Sequence, residues 1–558
     1  MPTVKELLRA GRKEELWQMC CGFLDLSIEQ FMSIQKRLLL EQIELLNAST
    51  IGRKIFKGTI PQNVEEFRKR APLTTYQDYC PELSEKRDDA MPLKPLFWQH
   101  TSGRSAEYPF KWESIKWVPV TNRMCEELAT ISVGAAILAS CKHKGDVSSA
   151  VKSGAKFIYA VAPRPYTSGT YAYIITEGAE AISMPPLEIA EKLEIEERIA
   201  LSFKQALSQG LDYYFGVSIA LVAIGEKINQ RMGTVNIKSL LSQPRALARL
   251  ARGLIKSKLA GRKLMPKDLW TLKGILGSGT DATIFKNVIK DTWGRYPLDI
   301  YASTEASVLA TQTWDYDGMT FIPNMNFLEF IPEAEYEKWK ENRSYIPGTV
   351  LLDEVQPNSK YELVISNFHG APLTRYRTGD IIKITSLRNK KLNIELPQME
   401  FEGRMDDVID IGAFARLTEK VIWQAVSNTA IPYVDWAARK EQKEDKSFLH
   451  VYLELKGDTR LAEDTIARAI YAELKKMDEG FIYGNVETVL NTMPVKVTLL
   501  PKGAFENHTN LRRSQGADLA HLKPRHINPS DKELGILGLP VPTSPQADRV
   551  SVGAPAAS

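Results

Sequence analysis

The chain has 558 residues, 44% of them apolar and 25% charged, enough for three or four domains or for one large core with a satellite. This ordinary globular composition excludes wholesale disorder, collagen-like structure and coiled-coil rods, and a net charge of +4 demands no nucleic-acid partner. Five cysteines, with Cys20 and Cys21 adjacent, are too few for a disulfide scaffold and point to a reducing, cytosolic setting.

At the N-terminus, Met1–Glu15 alternates charge and leucine without a secretory apolar core, so a cytoplasmic protein is expected. Thr3-x-x-Glu6 and Ser27-x-x-Gln30 have capping-box form, and Phe31, Ile34, Leu38, Ile43 and Leu46 follow at helical spacing. The first ~55 residues therefore read as a helical wrapper. The apolar runs Ile131–Cys141 and Tyr214–Gly225 fall short of the ~20 residues of a membrane span and read as buried core elements.

From Phe97 to about Ile384, apolar runs of strand length alternate with longer helical patterns: Phe157–Val161, Tyr171–Ile175, Leu272–Leu276, Leu298–Tyr301 and Leu363–Ser366. An α/β architecture is expected, with mixed sheets and helices in one large domain. Between Lys238 and Lys273 stand ten basic residues and a single acid, Asp268. Arg245, Arg249, Arg252 and Lys256 recur there at helical spacing, which suits a solvated helix face, a membrane surface or RNA phosphate. Near residue 400 the pattern resets. A strand at His450–Leu455, a helix from about Asp458 to Lys476 and a β-rich Val486–Leu500 suggest a small α+β domain. The expected division is a large domain over 1–403, a mobile lid domain over 404–534 and a disordered Pro/Ala/Ser-rich tail over 535–558.

Five short segments carry candidate chemistry. Thr101-Ser102-Gly103-Arg104-Ser105-Ala106 sets small hydroxyl residues around a glycine, which lets backbone N–H and side-chain OH groups approach a polyphosphate. Gly277-Ser278-Gly279-Thr280 follows a strand and either seats a flat base or phosphate against bare backbone or makes a tight turn into a helix. Tyr301-Ala302-Ser303-Thr304-Glu305 brings an aromatic, a hydroxyl and a Mg²⁺-competent carboxylate within five residues. In Arg375-Tyr376-Arg377-Thr378-Gly379-Asp380, the acid follows a Thr-Gly turn and could accept both hydroxyls of a ribose. Glu402-Gly403-Arg404-Met405-Asp406-Asp407 lies at the compositional reset and could be a hinge. Of seven histidines, His100 and His369 adjoin these segments as candidate acids or bases. The absence of H-E-x-x-H or a Cys/His cluster speaks against a zinc enzyme.

Taken in order, these segments resemble the adenylate-forming superfamily, and most closely its acyl acid–amido synthetase branch, the auxin-responsive Gretchen Hagen family with its bacterial relatives. Thr101–Ser105, Tyr301–Glu305 and Tyr376–Asp380 carry the likeness, joined by Asn326–Pro332 and Leu522-Lys523-Pro524-Arg525. It extends from about Leu7 to Ile527. The resemblance implies that Ser102, Gly103 and Ser105 hold the ATP β- and γ-phosphates and that Gly277, Ser278 and Gly279 line the adenine. It implies that Tyr301 stacks on the base, Thr304 meets the α-phosphate, Glu305 binds Mg²⁺ and Asp380 grips the ribose. Arg404 would support ribose and phosphate, Asp406 would be the hinge, and Lys523 would reach the reacting phosphate.

Arg104 and Ala106-Glu107 depart from the family's small residues in the phosphate loop. Arg104 could replace lost backbone contacts with a guanidinium, whereas Glu107 would repel phosphate unless it points away. The expected activity is an ATP-dependent acyl acid ligase that forms an acyl-adenylate and passes the acyl group to an amine, usually an amino acid. Two alternatives stand beside it: an acyl-CoA ligase with the same first step, its basic face over Arg245–Lys256 contacting CoA phosphates, and a catalytically impaired nucleotide-binding relative. The expected partners are a small carboxylic acid and an amine or CoA, with no nucleic acid and no membrane span.

Overall fold

The computed structural model describes residues 2–100, 116–147, 152–193, 195–217, 221–222, 224–225, 243–278, 282–404, 408–411, 415–443, 446–477, 494–514 and 526–539. Both N-terminal capping boxes form. Thr3 Oγ1 accepts from the Glu6 amide ahead of the helix Val4–Ala10, and Ser27 Oγ does the same for Gln30 ahead of Ile28–Ala48. Phe31, Met32, Leu39, Ile43 and Leu46 bury one face of the second helix.

The large unit, whose described residues run to Arg416, is organised on one mixed sheet of eleven strands. In chain order the strands of this unit are β1 (Phe97–His100), β2 (Trp117–Val120), β3 (Lys156–Ala160), β4 (Ile182–Met184), β5 (Tyr213–Val217), β6 (Gly274–Ser278), β7 (Pro297–Ser303), β8 (Ser307–Thr311), β9 (Met319–Phe321), β10 (Asn326–Pro332), β11 (Ser359–Asn367), β12 (Tyr376–Ser386), β13 (Gln398–Arg404) and β14 (Val408–Ile411). The spatial order of the sheet is β10-β11-β12-β13-β9-β8-β7-β6-β5-β3-β4, while β1 and β2 pair separately. Strands β4, β3, β5, β6 and β7 are parallel. From β7 onward every pairing is antiparallel. Parallel strands need crossovers, and the helices Thr167–Ala179 and Ile195–Gln209 stand between β3, β4 and β5.

The sheet therefore changes character at β7, the strand that ends in the Tyr-x-x-Thr-Glu segment. The Phe157, Leu272, Leu298 and Leu363 runs lie in or beside β3, β6, β7 and β11. Tyr171–Ile175 is not a strand. It lies inside the helix Thr167–Ala179, where Thr170, Tyr171, Ala172 and Ile174 are buried; a short apolar run of this kind is not distinguished from a strand by sequence alone. Ile131–Cys141 falls at the buried C-terminal half of the helix Asn122–Ser140 and its cap. All five cysteines are free.

The second unit, described from Leu417 onward, carries among its described residues a three-stranded sheet and four helices, Glu419–Asn428, Glu463–Met477, Ala504–Ser514 and Asp531–Ile536. Tyr433–Lys443 and Lys446–Leu455 pair antiparallel, and Val495–Leu499 joins the latter in parallel. The helix Glu463–Met477 buries Ile466, Ile470 and Leu474 and packs on the Val495–Leu499 strand. No helix among the described residues is long and apolar enough to cross a membrane.

Candidate nucleotide and acyl-transfer site

At the edge where β6 meets β7, the parallel strands present bare backbone. Gly277 of β6 lies between Gly216 of β5 and Asp299 of β7 in register. Two neighbouring glycines at the C-terminal ends of parallel strands leave no side chain between them, so a flat group can lie against the sheet there. Ser278 is the last residue of β6; Gly279 lies outside the described residues. Gly216 was not legible as a site residue in the sequence, because the run Tyr213–Val217 reads only as an apolar strand.

Strand β7 continues to Ser303 and turns into β8 through Thr304-Glu305-Ala306. The turn is built locally: the Ala306 amide donates to Ser303 Oγ at 3.1 Å, and Ser307 takes a left-handed φ of 59°, as expected of a three-residue hairpin loop. Two buried amides hold it from behind. Asn367 Nδ2 donates to the Glu305 carbonyl at 3.0 Å and to Asn326 Oδ1 at 2.8 Å, while Asn326 Nδ2 donates to the Ala306 carbonyl at 2.7 Å. Gln35, from the N-terminal helical region, donates to the carbonyls of Pro323 and Asn326 at 2.6 Å each. The helical wrapper thus braces the strand that carries Asn326.

The segment Thr378-Gly379-Asp380 forms a bulge within β12. Opposite β11, the register jumps from Arg377↔Val364 to Ile381↔Glu362, and Gly379 adopts a φ of 71°. A bulge of this kind re-aims a side chain. It brings Asp380 to Tyr301, whose hydroxyl donates to Asp380 Oδ2 at 2.7 Å, and the Tyr301 ring packs on Phe401 at 5.6 Å between centroids. Asp380 is 2% exposed. Across the β12–β13 pair it stands directly opposite Arg404.

The two arginines of the same segment are committed elsewhere. Arg375 makes a two-pronged pair with buried Glu329, Nε–Oε2 3.0 Å and Nη2–Oε1 2.9 Å, and Nη1 donates to the carbonyls of Arg68 and Ala71. Arg377 pairs with Glu362 at 2.6 Å and lies over the Trp339 ring at 3.9 Å. Both guanidiniums hold the sheet together, and neither is available to a phosphate.

Residues 101–115 lie outside the described residues, and with them Ser102, Gly103, Arg104, Ser105 and Glu107. Both ends of that segment are fixed. His100 and Trp117 are paired across β1 and β2, and His100 sits edge-on between Trp117 and Tyr166 at 4.6 Å from each. On one side Thr167 Oγ1 joins Thr304 Oγ1 at 2.7 Å and lies 3.4 Å from the His100 carbonyl. On the other, Lys116 Nζ lies 3.6 Å from Glu305 Oε1 and donates to Tyr376 Oη at 3.0 Å. The two flanks of the Ser/Gly-rich segment therefore meet Thr304 and Glu305.

Lys116 and Thr167 were missed by motif reasoning, since neither belongs to a short pattern; only their placement at strand and helix ends reveals them. Asp299, also missed, has its acid strength changed by burial, which pushes its pKa up to about 7, partly offset by a hydrogen bond from the Ile300 amide. Glu127 is likewise raised by burial, with His369 nearby and Asn324 Nδ2 donating to it at 2.6 Å. His369 Nε2 in turn lies 2.6 Å from the Asn324 carbonyl. Glu127, Asn324 and His369 thus form one contact network.

Asp406 and Lys523 lie outside the described residues. The chain just after Lys523 is anchored to the second unit's sheet: the Ala438 amide donates to the His526 carbonyl at 2.6 Å, and the Asn528 amide to the Ala438 carbonyl at 2.8 Å. The His526 ring stacks on Trp436 at 4.8 Å.

Comparison with known proteins places this geometry. Residues 319–404, which hold Asp380, Arg404 and the strands between β9 and β13, match the model of the GH3 family central domain. The chain is 29% identical over 227 residues to a jasmonoyl–L-amino acid synthetase, GH3.5, of Oryza sativa subsp. japonica, covering 38% of this chain and 37% of that protein. It is 25% identical over 219 residues to the indole-3-acetic acid-amido synthetase GH3.3 of Arabidopsis thaliana, covering 38% and 34%. The matched stretches thus span little over a third of these curated relatives. Among solved structures, the acyl acid amido synthetase AtGH3.15 in complex with 2,4-DB superposes with a TM-score of 0.52 at 17% identity, over 93% of this chain and 95% of that one. A 2-hydroxyisobutyryl-CoA ligase in complex with 2-HIB-AMP and CoA superposes with a TM-score of 0.55 at 13% identity, over 87% and 88%. The chain shares the fold of AtGH3.15 and of the 2-hydroxyisobutyryl-CoA ligase, and over 38% of its length it is similar to GH3 amido and amino acid synthetases.

Proposed function

We propose that the protein is an ATP-dependent acyl acid–amine ligase, which converts a carboxylic acid into an acyl-adenylate and then into an amide. The observation that carries this is the convergence of three segments far apart in sequence. Tyr301 Oη meets Asp380 Oδ2 at 2.7 Å, and the flanks of 101–115 meet the Thr304-Glu305 turn through Thr167 and Lys116.

The residues present fit a nucleotide. Gly216 and Gly277 offer a surface free of side chains, the Tyr301 ring borders it one strand away, and a carboxylate such as Asp380 can accept from a ribose as well as from a tyrosine. Arg404, opposite Asp380, would support ribose and phosphate. Ser102, Gly103 and Ser105 would cradle the β- and γ-phosphates and Thr304 the α-phosphate, with Gly277, Ser278 and Gly279 lining the base.

Glu305 would hold Mg²⁺. No cluster of three or more candidate metal ligands occurs among the described residues. Mg²⁺ held by Glu305 would supply positive charge beside the phosphates. Lys116, 3.6 Å from Glu305 and bonded to Tyr376, keeps the carboxylate oriented and its charge balanced. A carboxylate is a poor electrophile, and adenylation makes its oxygen part of an AMP leaving group. The protein then has to stabilise developing negative charge, the task assigned to Arg404 and Lys523. Movement about Asp406 would withdraw Lys523 and admit the amine.

The sequence relatives are amino acid ligases, which favours an amine acceptor; the CoA-ligase structural neighbour keeps a thiol as the second reading. The test is product trapping. With an accepted acid, ATP and Mg²⁺, the protein should accumulate an acyl-adenylate, and added amino acids should discharge it to an amide. Discharge by CoA alone would assign the thioester reading, and no adenylate with any acid would leave a nucleotide-binding relative.

A further inference from the structure

The helix Pro244–Leu259 lies apart from the site just described and belongs to none of its chemistry. Its inward face is settled: Ala246, Leu250, Gly253 and Ser257 are buried at helical spacing, in the cluster that also holds Leu264, Leu269 and Trp270. Arg249 serves that packing too, donating to the Ala206 and Leu207 carbonyls at the end of the helix Ile195–Gln209.

The opposite face is unusual. At 100° per residue, Ala248, Ala251, Ile255 and Leu259 fall on one line directly away from the buried face. Ile255 is 61% exposed and Leu259 84%. Arg245, Arg252 and Lys256 flank the line on one side and Lys258 on the other; all four are exposed and, among the described residues, have no carboxylate partner. The charge is one-sided over a longer stretch. Residues 227–267 contain eleven Lys and Arg and no Asp or Glu. A face that served only to be solvated would place its polar residues outermost and its aliphatics inward. Here the aliphatics stand outermost with cations along both flanks.

We propose that this face docks on an anionic lipid bilayer, with Ile255 and Leu259 entering the acyl boundary and Arg245, Arg252, Lys256 and Lys258 lying at the level of the phosphates. Charge complementarity selects an anionic surface, and the protruding aliphatics select lipid. RNA phosphate would satisfy the cations but leave Ile255 and Leu259 without gain, and the helix has no aromatic residue on which a base could stack. The proposal is independent of the acyl acid–amine ligase assignment, which gives none of these residues a role; only the CoA alternative would use this face, for CoA phosphates.

The test is co-sedimentation of the full chain with vesicles of phosphatidylcholine and phosphatidylglycerol in equal parts, against vesicles of phosphatidylcholine alone. Partition should require phosphatidylglycerol and weaken with salt. Ile255→Ser and Leu259→Ser should each lower the partition coefficient about tenfold. Arg252→Gln and Lys256→Gln should each lower it about fivefold. All four side chains are exposed, so the thermal midpoint should stay at the wild-type value and separate lost docking from lost fold. Three results would overturn the proposal: no partition onto phosphatidylglycerol vesicles, partition unchanged by Ile255→Ser and Leu259→Ser, or preferential binding of poly-uridylate that is insensitive to those two substitutions.

Discussion

Tyr301→Phe removes one oxygen and nothing else, and so isolates the contact that joins the two halves of the candidate site. The ring should keep its packing on Phe401, 5.6 Å away, since the lost atom lies at the other end of the ring. What disappears is a 2.7 Å hydrogen bond from a phenol to a carboxylate that is 2% exposed. A hydrogen bond to a charged group contributes ~1.5–3 kcal/mol, which corresponds to ~10–150-fold in an equilibrium constant. If the bond sets Asp380 in place for a ribose, the loss should raise the KM for ATP within that range and leave kcat nearly unchanged, because the contact acts in ground and transition states alike. The assay is acid-dependent pyrophosphate–ATP exchange with ATP varied, beside urea unfolding of the same variant. A variant that loses stability by ~1–3 kcal/mol but keeps the wild-type KM for ATP would show that Tyr301–Asp380 is a core contact only, and the ribose assignment of Asp380 would fall.

Arg375→Met should destabilise the fold by ~3–5 kcal/mol in urea, because it strands Glu329 in the interior; nucleotide affinity in the surviving folded fraction should be unaltered. Asp299 gives a pH signature. Its folded pKa of about 7 lies above the ordinary carboxylate range because burial disfavours the charge, so the folded state binds the extra proton and stability should fall as pH rises from about 4 to about 7. Asp299→Asn should flatten that slope, and an identical slope in both proteins would remove Asp299 as its source. Glu305→Gln keeps the shape and loses the charge, so Mg²⁺-dependent adenylation should drop ~10²-fold or more in kcat, with exchange at the wild-type rate excluding Glu305 from the site. Lys523→Ala should slow acyl-adenylate formation in single-turnover quench while leaving amide formation from supplied acyl-adenylate intact; equal slowing of both halves would contradict its assigned role.

Local signals in the sequence led furthest where the physics is local. The capping boxes at Thr3 and Ser27 are complete in a few residues, and the structure contains both. Strand positions at β3, β6, β7 and β11 follow from short apolar runs bounded by turn residues. Tyr171–Ile175 failed because five consecutive apolar residues carry no period, and only the tertiary cover of the helix Thr167–Ala179 decides between the two forms. In the site, Tyr301, Thr304, Glu305 and Asp380 were visible as motif residues, but their meeting was not. It depends on a bulge at Thr378–Asp380 and on strand order, both set by long-range pairing. Lys116 and Gly216 acquire meaning only from register and burial, and the structural duties of Arg375 and Arg377 are set by Glu329 and Glu362, distant in sequence.

The converging segments should together activate a carboxylate with ATP. The decisive measurement is pyrophosphate–ATP exchange dependent on added carboxylic acid, run across a panel of acids with wild type and Asp380→Ala. Exchange should occur with at least one acid, be absent without acid and without Mg²⁺, and need much more ATP in Asp380→Ala to reach the same rate. Exchange that proceeds in Asp380→Ala with unchanged dependence on ATP, or a wild-type protein that binds ATP and exchanges with no acid, would contradict this reading.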